Sequence, residues 1–314
     1  MSRISTYYIG NLSNISKESL VITNGATEAI HLALNASLTQ VDTVAIESPT
    51  YYGYFDILNH NALKCVEIPI KESMGLDLEI LEKSILESKI KAIHIQPRIQ
   101  NPTTWSYTTK NKKELLLLCR KYNVLIIEDD VYGDLTPDQT CKPIGFYTNE
   151  KDKYIYINSF SKTISPALRI GFIHTNYKLS EIVINKTILS MSTNEFGQKL
   201  LNDLFKRKVI QKHFKNISKT LLKIQEDARS FFNSSNIQVA GSSGGYLIWL
   251  KISKGNSMEF FHKLIAEGIA IAPGKIFSDN TIYYKYIRIN IAGFNDLKVR
   301  QQLKKIRDII NADV

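Results

Sequence analysis

Short apolar runs alternate with amphipathic stretches along the first two-thirds of the chain. The runs Leu20–Thr23, Thr43–Glu47, Lys64–Ile68, Ala92–Gln96, Val124–Asp129, Tyr154–Ser159 and Arg169–Ile173 read as strands. Around Leu125–Glu128 and Tyr154–Ile157 the apolar positions are continuous rather than alternating, as in strands covered on both faces. Ala26–Ser37, Asp77–Ser88 and Lys110–Tyr122 carry helical spacing between them. This alternation predicts an α/β fold, a three-layer, mainly parallel sheet flanked by helices.

The rhythm changes after about Thr175. Lys178–Met191 and Glu195–Phe232 read as long helical stretches broken near Ser192–Glu195. A smaller α+β unit follows: strand Gln238–Ala240, a turn over Gly241–Gly245, strand Tyr246–Ile252, helix Ser257–Glu267, strands Ile269–Pro273 and Tyr286–Ile291, and helix Asp296–Ile310. The expectation is a large domain over residues 1–208 and a small C-terminal domain over 209–314. The boundary would fall inside a bridging helix.

Of the 314 residues 44% are hydrophobic and 22% charged, which excludes disordered and fibrous classes and supports a sizeable core. The net charge is +10. Its densest patch is Lys206, Arg207, Lys208, Lys212, Lys215, Lys219 and Lys223, at helical spacing from Lys208 onward. A solvated helix face is the plainer reading and a nucleic-acid surface the alternative. Cys65, Cys119 and Cys141 are odd in number and lack C-x-x-C spacing, and the first and second lie in apolar, core-like runs. They argue for a reducing compartment rather than a disulfide framework. The histidines show no zinc-ligand spacing, so no metal is expected. No apolar run approaches a membrane span, and the N-terminus has no signal-peptide pattern, so a cytoplasmic location is expected.

Six segments carry candidate chemistry. Ser159-Phe160-Ser161-Lys162-Thr163, with Arg169 beyond it, follows a strand. A lysine flanked by hydroxyls and an arginine suits a phosphate-bearing carbonyl cofactor: the amine forms an imine, while the hydroxyls and guanidinium hold the phosphate. A solvated loop lysine is the alternative. In Glu128-Asp129-Asp130-Val131-Tyr132 the acids end an apolar strand, where α/β sheets bind ligands. Asp129 could pair with a protonated ring nitrogen and Tyr132 with a ring oxygen; a metal-binding carboxylate cluster competes. Thr23-Asn24-Gly25-Ala26-Thr27 opens a helix with small residues, as a phosphate site, as an ordinary cap by Thr23 or Asn24, or as both at once. Asn101, in Gln100-Asn101-Pro102-Thr103, either starts a turn or faces the same ligand. Tyr51 either stacks on a flat cofactor or packs on the core. Arg288, inside the apolar strand Tyr286–Ile291, needs an anion, either a substrate carboxylate or an internal partner.

In order, TNGATEA, ESPTYYG, QNPT, IIEDDVYGDL, SFSKTISPALRIGF, GGYLIWL, GIAIAPGKIF and YIRINIAG resemble the class I/II aminotransferases, pyridoxal-phosphate (PLP) enzymes of fold type I. The likeness is to the aminotransferase-like domain of MocR-type regulators and to 2-aminoadipate and kynurenine aminotransferases. It implies a cytoplasmic PLP-dependent aminotransferase that moves an amino group between an amino acid and a 2-oxo acid through a Lys162 aldimine. Lys162 would also shuttle the proton. Asp129 would pair with the pyridinium nitrogen, Asn101 and Tyr132 would contact the phenolic oxygen, and Tyr51 would stack on the ring. Gly25, Ala26, Ser159, Ser161 and Arg169 would form the phosphate cup with Thr27 beside it, and Arg288 would bind the substrate α-carboxylate. A homodimer is implied as well. Departures from the family are Thr104 in place of the glycine after Asn-Pro-Thr, followed by Trp105, with Arg98 upstream. Set against the family, the chain is expected to lack most of the N-terminal segment and the regulators' winged-helix domain. The alternative expectation is therefore a PLP-binding effector domain with little or no turnover.

Overall fold

The computed structural model describes residues 2–10, 12, 16, 18–72, 74–138, 140–241 and 244–312. Its large sheet is built from β1 (Leu20–Thr23), β2 (Thr43–Ser48), β3 (Lys64–Lys71), β4 (Gly75–Leu76), β5 (Ile90–Ile95), β6 (Leu125–Asp129), β7 (Tyr154–Ser159) and β8 (Gly171–His174). The spatial order is β1-β8-β7-β6-β5-β2-β3-β4. The central pairings β7·β6, β6·β5, β5·β2 and β2·β3 are parallel, whereas β1·β8, β8·β7 and β3·β4 are antiparallel. The mainly parallel sheet read from the sequence is thus mixed at both edges. β8 turns back because only the short Ser159–Arg169 segment joins it to β7. Too few residues remain there for a helical crossover.

Helices cover both faces. On one lie α2 (Ala26–Ser37), α3 (Gly53–His60) and α6 (Leu179–Ser190), whose Ala29, Ala33, Tyr54, Leu58 and Ile182 meet Ile46, Ile127 and Ile157. On the other lie α1 (Ser2–Ile9), α4 (Leu78–Ser88), α5 (Thr109–Tyr122) and α7 (Glu195–Lys206), with Tyr8, Leu81, Leu115 and Phe205 against Ile93, Ile126 and Tyr156. The four-residue-spaced pattern of α1 and the short α3 escape the periodicity reading of the sequence.

The helical stretch expected over Glu195–Phe232 is two helices. α7 ends at Lys206 and α8 (Val209–Phe232) begins after Lys208, which takes a left-handed φ of 58°. Phe205 and Ile210 both reach the large core. In one continuous helix they would point about 140° apart, so the break brings both onto the core side. α8 then leaves that core: Phe214 still packs in it, while Leu221, Ile224, Ala228 and Phe232 belong to the next one.

That second core lies beneath a four-stranded sheet of β9 (Ile237–Ala240), β10 (Leu247–Ile252), β11 (Ala272–Pro273) and β12 (Tyr286–Asn290), in the order β11-β12-β10-β9. α9 (Ser257–Ala266) and α10 (Leu297–Ala312) complete it. A reciprocal cap between Asn256 and Glu259 starts α9. Of the strand read over Ile269–Pro273 only Ala272–Pro273 pairs. Cys119 is buried, but Cys65 is exposed on β3, contrary to its apolar run. The seven cations of residues 206–223 are all exposed.

Candidate active site

The C-terminal ends of the parallel strands open onto a cavity of about 350 Å³, where the edge of the second sheet closes it. Ala26, Thr27, Tyr51, Asn101, Asp129, Tyr132, Ser159, Ser161, Lys162, Arg169 and Arg288 all line it. Gly25 stands directly behind Ala26, against Arg169. Residues spread over 263 positions of sequence therefore meet in one place.

Strand alternation explains which acids face it. His94 pairs with Ile127, and Asp129 with Ile157, so His94, Asp129 and Ser159 share one face of the sheet. Glu128 and Asp130 point to the opposite face. There Glu128 accepts from the Ile144 and Gly145 amides and the Tyr154 hydroxyl. Asp130 binds the Arg98 guanidinium through Nε at 2.8 Å and also through Nη2, and accepts from Tyr156 at 2.6 Å. The three-carboxylate run thus splits, which argues against the metal-binding alternative. The intruding Arg98 is a buried ion-pair partner.

Asp129 is buried and accepts from Gln96 Nε2 at 2.9 Å and from the Val131 amide at 3.3 Å. Burial pushes its carboxyl up to about 6, against the pull of those hydrogen bonds and of Lys162. Such a group gains from a cationic partner. Lys162 responds in the opposite sense: burial, Arg288 and Arg169 lower its amine, and Asp129 opposes them. A lysine held this way is the more readily neutral and nucleophilic.

At one end of the cavity Gly25 caps α2 with a φ of 88° and no side-chain hydrogen bond. Neither Thr23 nor Asn24 caps the helix, contrary to the ordinary-cap reading, so its first amides lack a side-chain acceptor and face the cavity. A Cβ at Gly25 would sit 3.0 Å from Arg169 Nη2, and one at Gly171 would sit 2.6 Å from the Gly25 carbonyl carbon. The two glycines let helix start, β8 and guanidinium converge. Arg169 is not on a strand as expected. It follows a 3-10 turn with φ 49°, and its Nη2 donates to the Asn24 carbonyl at 3.1 Å. The Ser159 and Ser161 hydroxyls lie 3.2 Å apart beside it.

At the other end Arg288 donates to Asn101 Oδ1 at 3.0 Å, and its guanidinium lies 5.0 Å from the Phe277 ring centre and 5.7 Å from that of Tyr52. Its polar partner among the described residues is an amide oxygen, not a carboxylate, so donors remain for an anion. The sequence reading missed His94, Gln96, Tyr246 and Tyr52. Polar residues alternating on the AIHIQ strand were the available signal for the first two: Gln96 ties the Asp129 carboxylate to the Asn101 amide, which donates to Gln96 Oε1 at 3.0 Å.

Residues 3–306 match the family model for aminotransferase class I and II. An HTH-type transcriptional regulator of Escherichia coli, YdcR, is 28% identical over 301 residues, covering 94% of this chain and 64% of the regulator, so the chain spans less than two thirds of that relative. Aromatic-amino-acid aminotransferase 1 of Thermococcus litoralis is 26% identical over 96% of this chain and 74% of its own length. The solved kynurenine aminotransferase of Pyrococcus horikoshii, in complex with PMP, superposes with a TM-score of 0.88 at 26% identity, over 99% of this chain and 80% of that one.

Proposed function

Because this chain belongs to the class I and II aminotransferases, we propose that it is a PLP-dependent aminotransferase exchanging an amino group between an amino acid and a 2-oxo acid. One observation carries the reading. A depressed lysine amine and a buried carboxylate share a cavity that has a helix N-terminus and guanidinium at one end and an arginine at the other. The donor set fits the cofactor: uncapped amides, two hydroxyls and Arg169 suit a phosphate, and the space left by Gly25 admits it. PLP supplies an electrophilic aldehyde and a ring that withdraws electrons from the substrate α-carbon.

Each residue then has a task. Lys162 Nζ would hold the cofactor and would carry the proton to and from the substrate α-carbon. Asp129 would keep the ring-nitrogen proton in place, since a carboxylate whose charge burial disfavours gains from a cationic partner. Asn101 and Tyr132 would hold the phenolic oxygen, and Tyr51 would pack on the ring. Gly25, Ala26, Thr27, Ser159, Ser161 and Arg169 hold the phosphate. Arg288 orients the α-carboxylate. Residues 1–208 form the cofactor domain and 209–314 the small domain, with α8 reaching into both cores. Three free thiols fit a reducing cytoplasm.

The active form is a homodimer. α6 and the start of α7 present Val183, Ile184, Ile188, Leu189, Met191 and Phe196 to solvent, with Ile188 78%, Met191 85% and Phe196 78% exposed. So many exposed apolar side chains in one short stretch call for a partner. It adjoins the site, because Gly197 of α7 packs on Ile170, next to Arg169. Light scattering should give twice the monomer mass for the wild type and the monomer mass for Ile188→Asp with Phe196→Asp. A monomeric wild type at micromolar concentration contradicts this.

The similarity to a regulator over nearly the whole chain favours a second reading, a PLP-binding effector domain without turnover. Steady-state assays of the PLP-loaded protein with amino acids and 2-oxo acids separate the two. Repeated conversion of both substrates supports the aminotransferase. One equivalent of oxo acid or none supports the effector domain.

A further inference from the structure

The polar residues of β5 reach past the contacts assigned above. His94 is fully buried, its ring stacked on Tyr54 of α3 at 3.8 Å between centres and 19° between planes. Neither ring nitrogen has a hydrogen-bond partner among the described residues. Buried polar groups seldom go without one, because their lost hydration is then uncompensated. His94 Nε2 lies 3.9 Å from Asp129 Oδ2, a short displacement beyond hydrogen-bond range. Burial pushes the imidazole down to about 3, so it is neutral and carries a single N–H.

We propose that His94 is a positioning residue for Asp129, donating its Nε2–H to Oδ2 whenever that carboxylate is charged. The donor pair of His94 and Gln96 then holds the carboxylate ionised and aimed into the cavity, while Tyr54 fixes the imidazole plane. The inference rests on the part given to Asp129 under the proposed function. Other groups facing the pair are Glu47 from β2, Tyr51 and Tyr54 at α3, Tyr132 beyond β6, and Lys162, with Asp130 acting on it from the opposite face of the sheet. Lys162 favours the charged carboxylate; Glu47 and Asp130 oppose it. A neutral donor supplements the pull of Lys162 without adding charge.

Two variants isolate the donor. His94→Phe keeps the stack and the volume but loses the N–H; His94→Gln keeps a donor and loses the stack. The readouts are the titration of Asp129 in ligand-free protein, followed by aspartate-selective carbon NMR and assigned with Asp129→Asn, and the dissociation constant of PLP. His94→Phe should raise the Asp129 midpoint and weaken PLP binding by about tenfold, on the scale of one hydrogen bond to a charged group. His94→Gln should recover most of both. Wild-type values in His94→Phe, or equal losses in the two variants, overturn the proposal, since either outcome leaves the imidazole as filler. A wild type that binds no PLP fails the proposed function instead, and the ligand-free midpoints still decide the part of His94.

Discussion

Lys162→Ala should fold normally, retain no covalently bound PLP and lose about 10³–10⁴-fold in turnover. The fold survives because the Lys162 side chain lies at the cavity, on the exposed side of the Ser159–Arg169 segment, and contributes to neither core. The activity does not survive, because no other amine lines the cavity among the described residues. Circular dichroism checks the first part, and the visible absorption of the PLP-loaded protein with steady-state rates checks the second. A variant retaining a lysine-like absorption band and more than a tenth of the rate would show that another residue carries the chemistry.

Asp129→Asn has the next largest effect, and it has two faces. With PLP bound, the variant loses the charge that holds the ring proton, and kcat falls by about 10²–10³-fold, the scale of one preorganised electrostatic contact. Without PLP the same substitution stabilises. The folded carboxyl lies at about 6, above its ordinary value, so between about pH 4 and pH 6 the folded wild type binds more protons than the unfolded chain. Its stability relative to Asp129→Asn therefore falls as pH rises through that window, by about 3 kcal/mol in all. The difference is absent below pH 4 and complete above about pH 7. Denaturant unfolding of both ligand-free proteins at pH 4 and pH 7.5 measures it. A stability gap that does not change with pH contradicts the burial of an unpaired carboxylate there.

The sequence was legible wherever local pattern and tertiary role coincide. The continuous apolar runs Val124–Asp129 and Tyr154–Ser159 mark central strands because burial on both faces leaves no polar alternation to obscure them. The candidate site residues stand out for a related reason: ligands gather at the carboxyl ends of such strands, where Asp129 and Lys162 lie and line one cavity. Other features depend on distant partners. The close packing of β8 on the start of α2, where Gly171 meets the Gly25 backbone, is not encoded by strand spacing. The break before α8 follows from two residues five apart both needing the core. Cys65 sits in an apolar run yet stays exposed, since β4 pairs with Ile70 and Lys71 at the other end of β3 and leaves the Cys65 end at the sheet edge. His94 reads as one more core histidine until the sheet register sets it beside Asp129.

Covalent attachment of the cofactor is the claim on which the rest depends. The protein loaded with PLP, reduced with borohydride, digested and analysed by mass spectrometry should carry the phosphopyridoxyl group on the peptide containing Lys162, at one equivalent per chain. Label spread over surface lysines, or confined to a different one, would contradict the account.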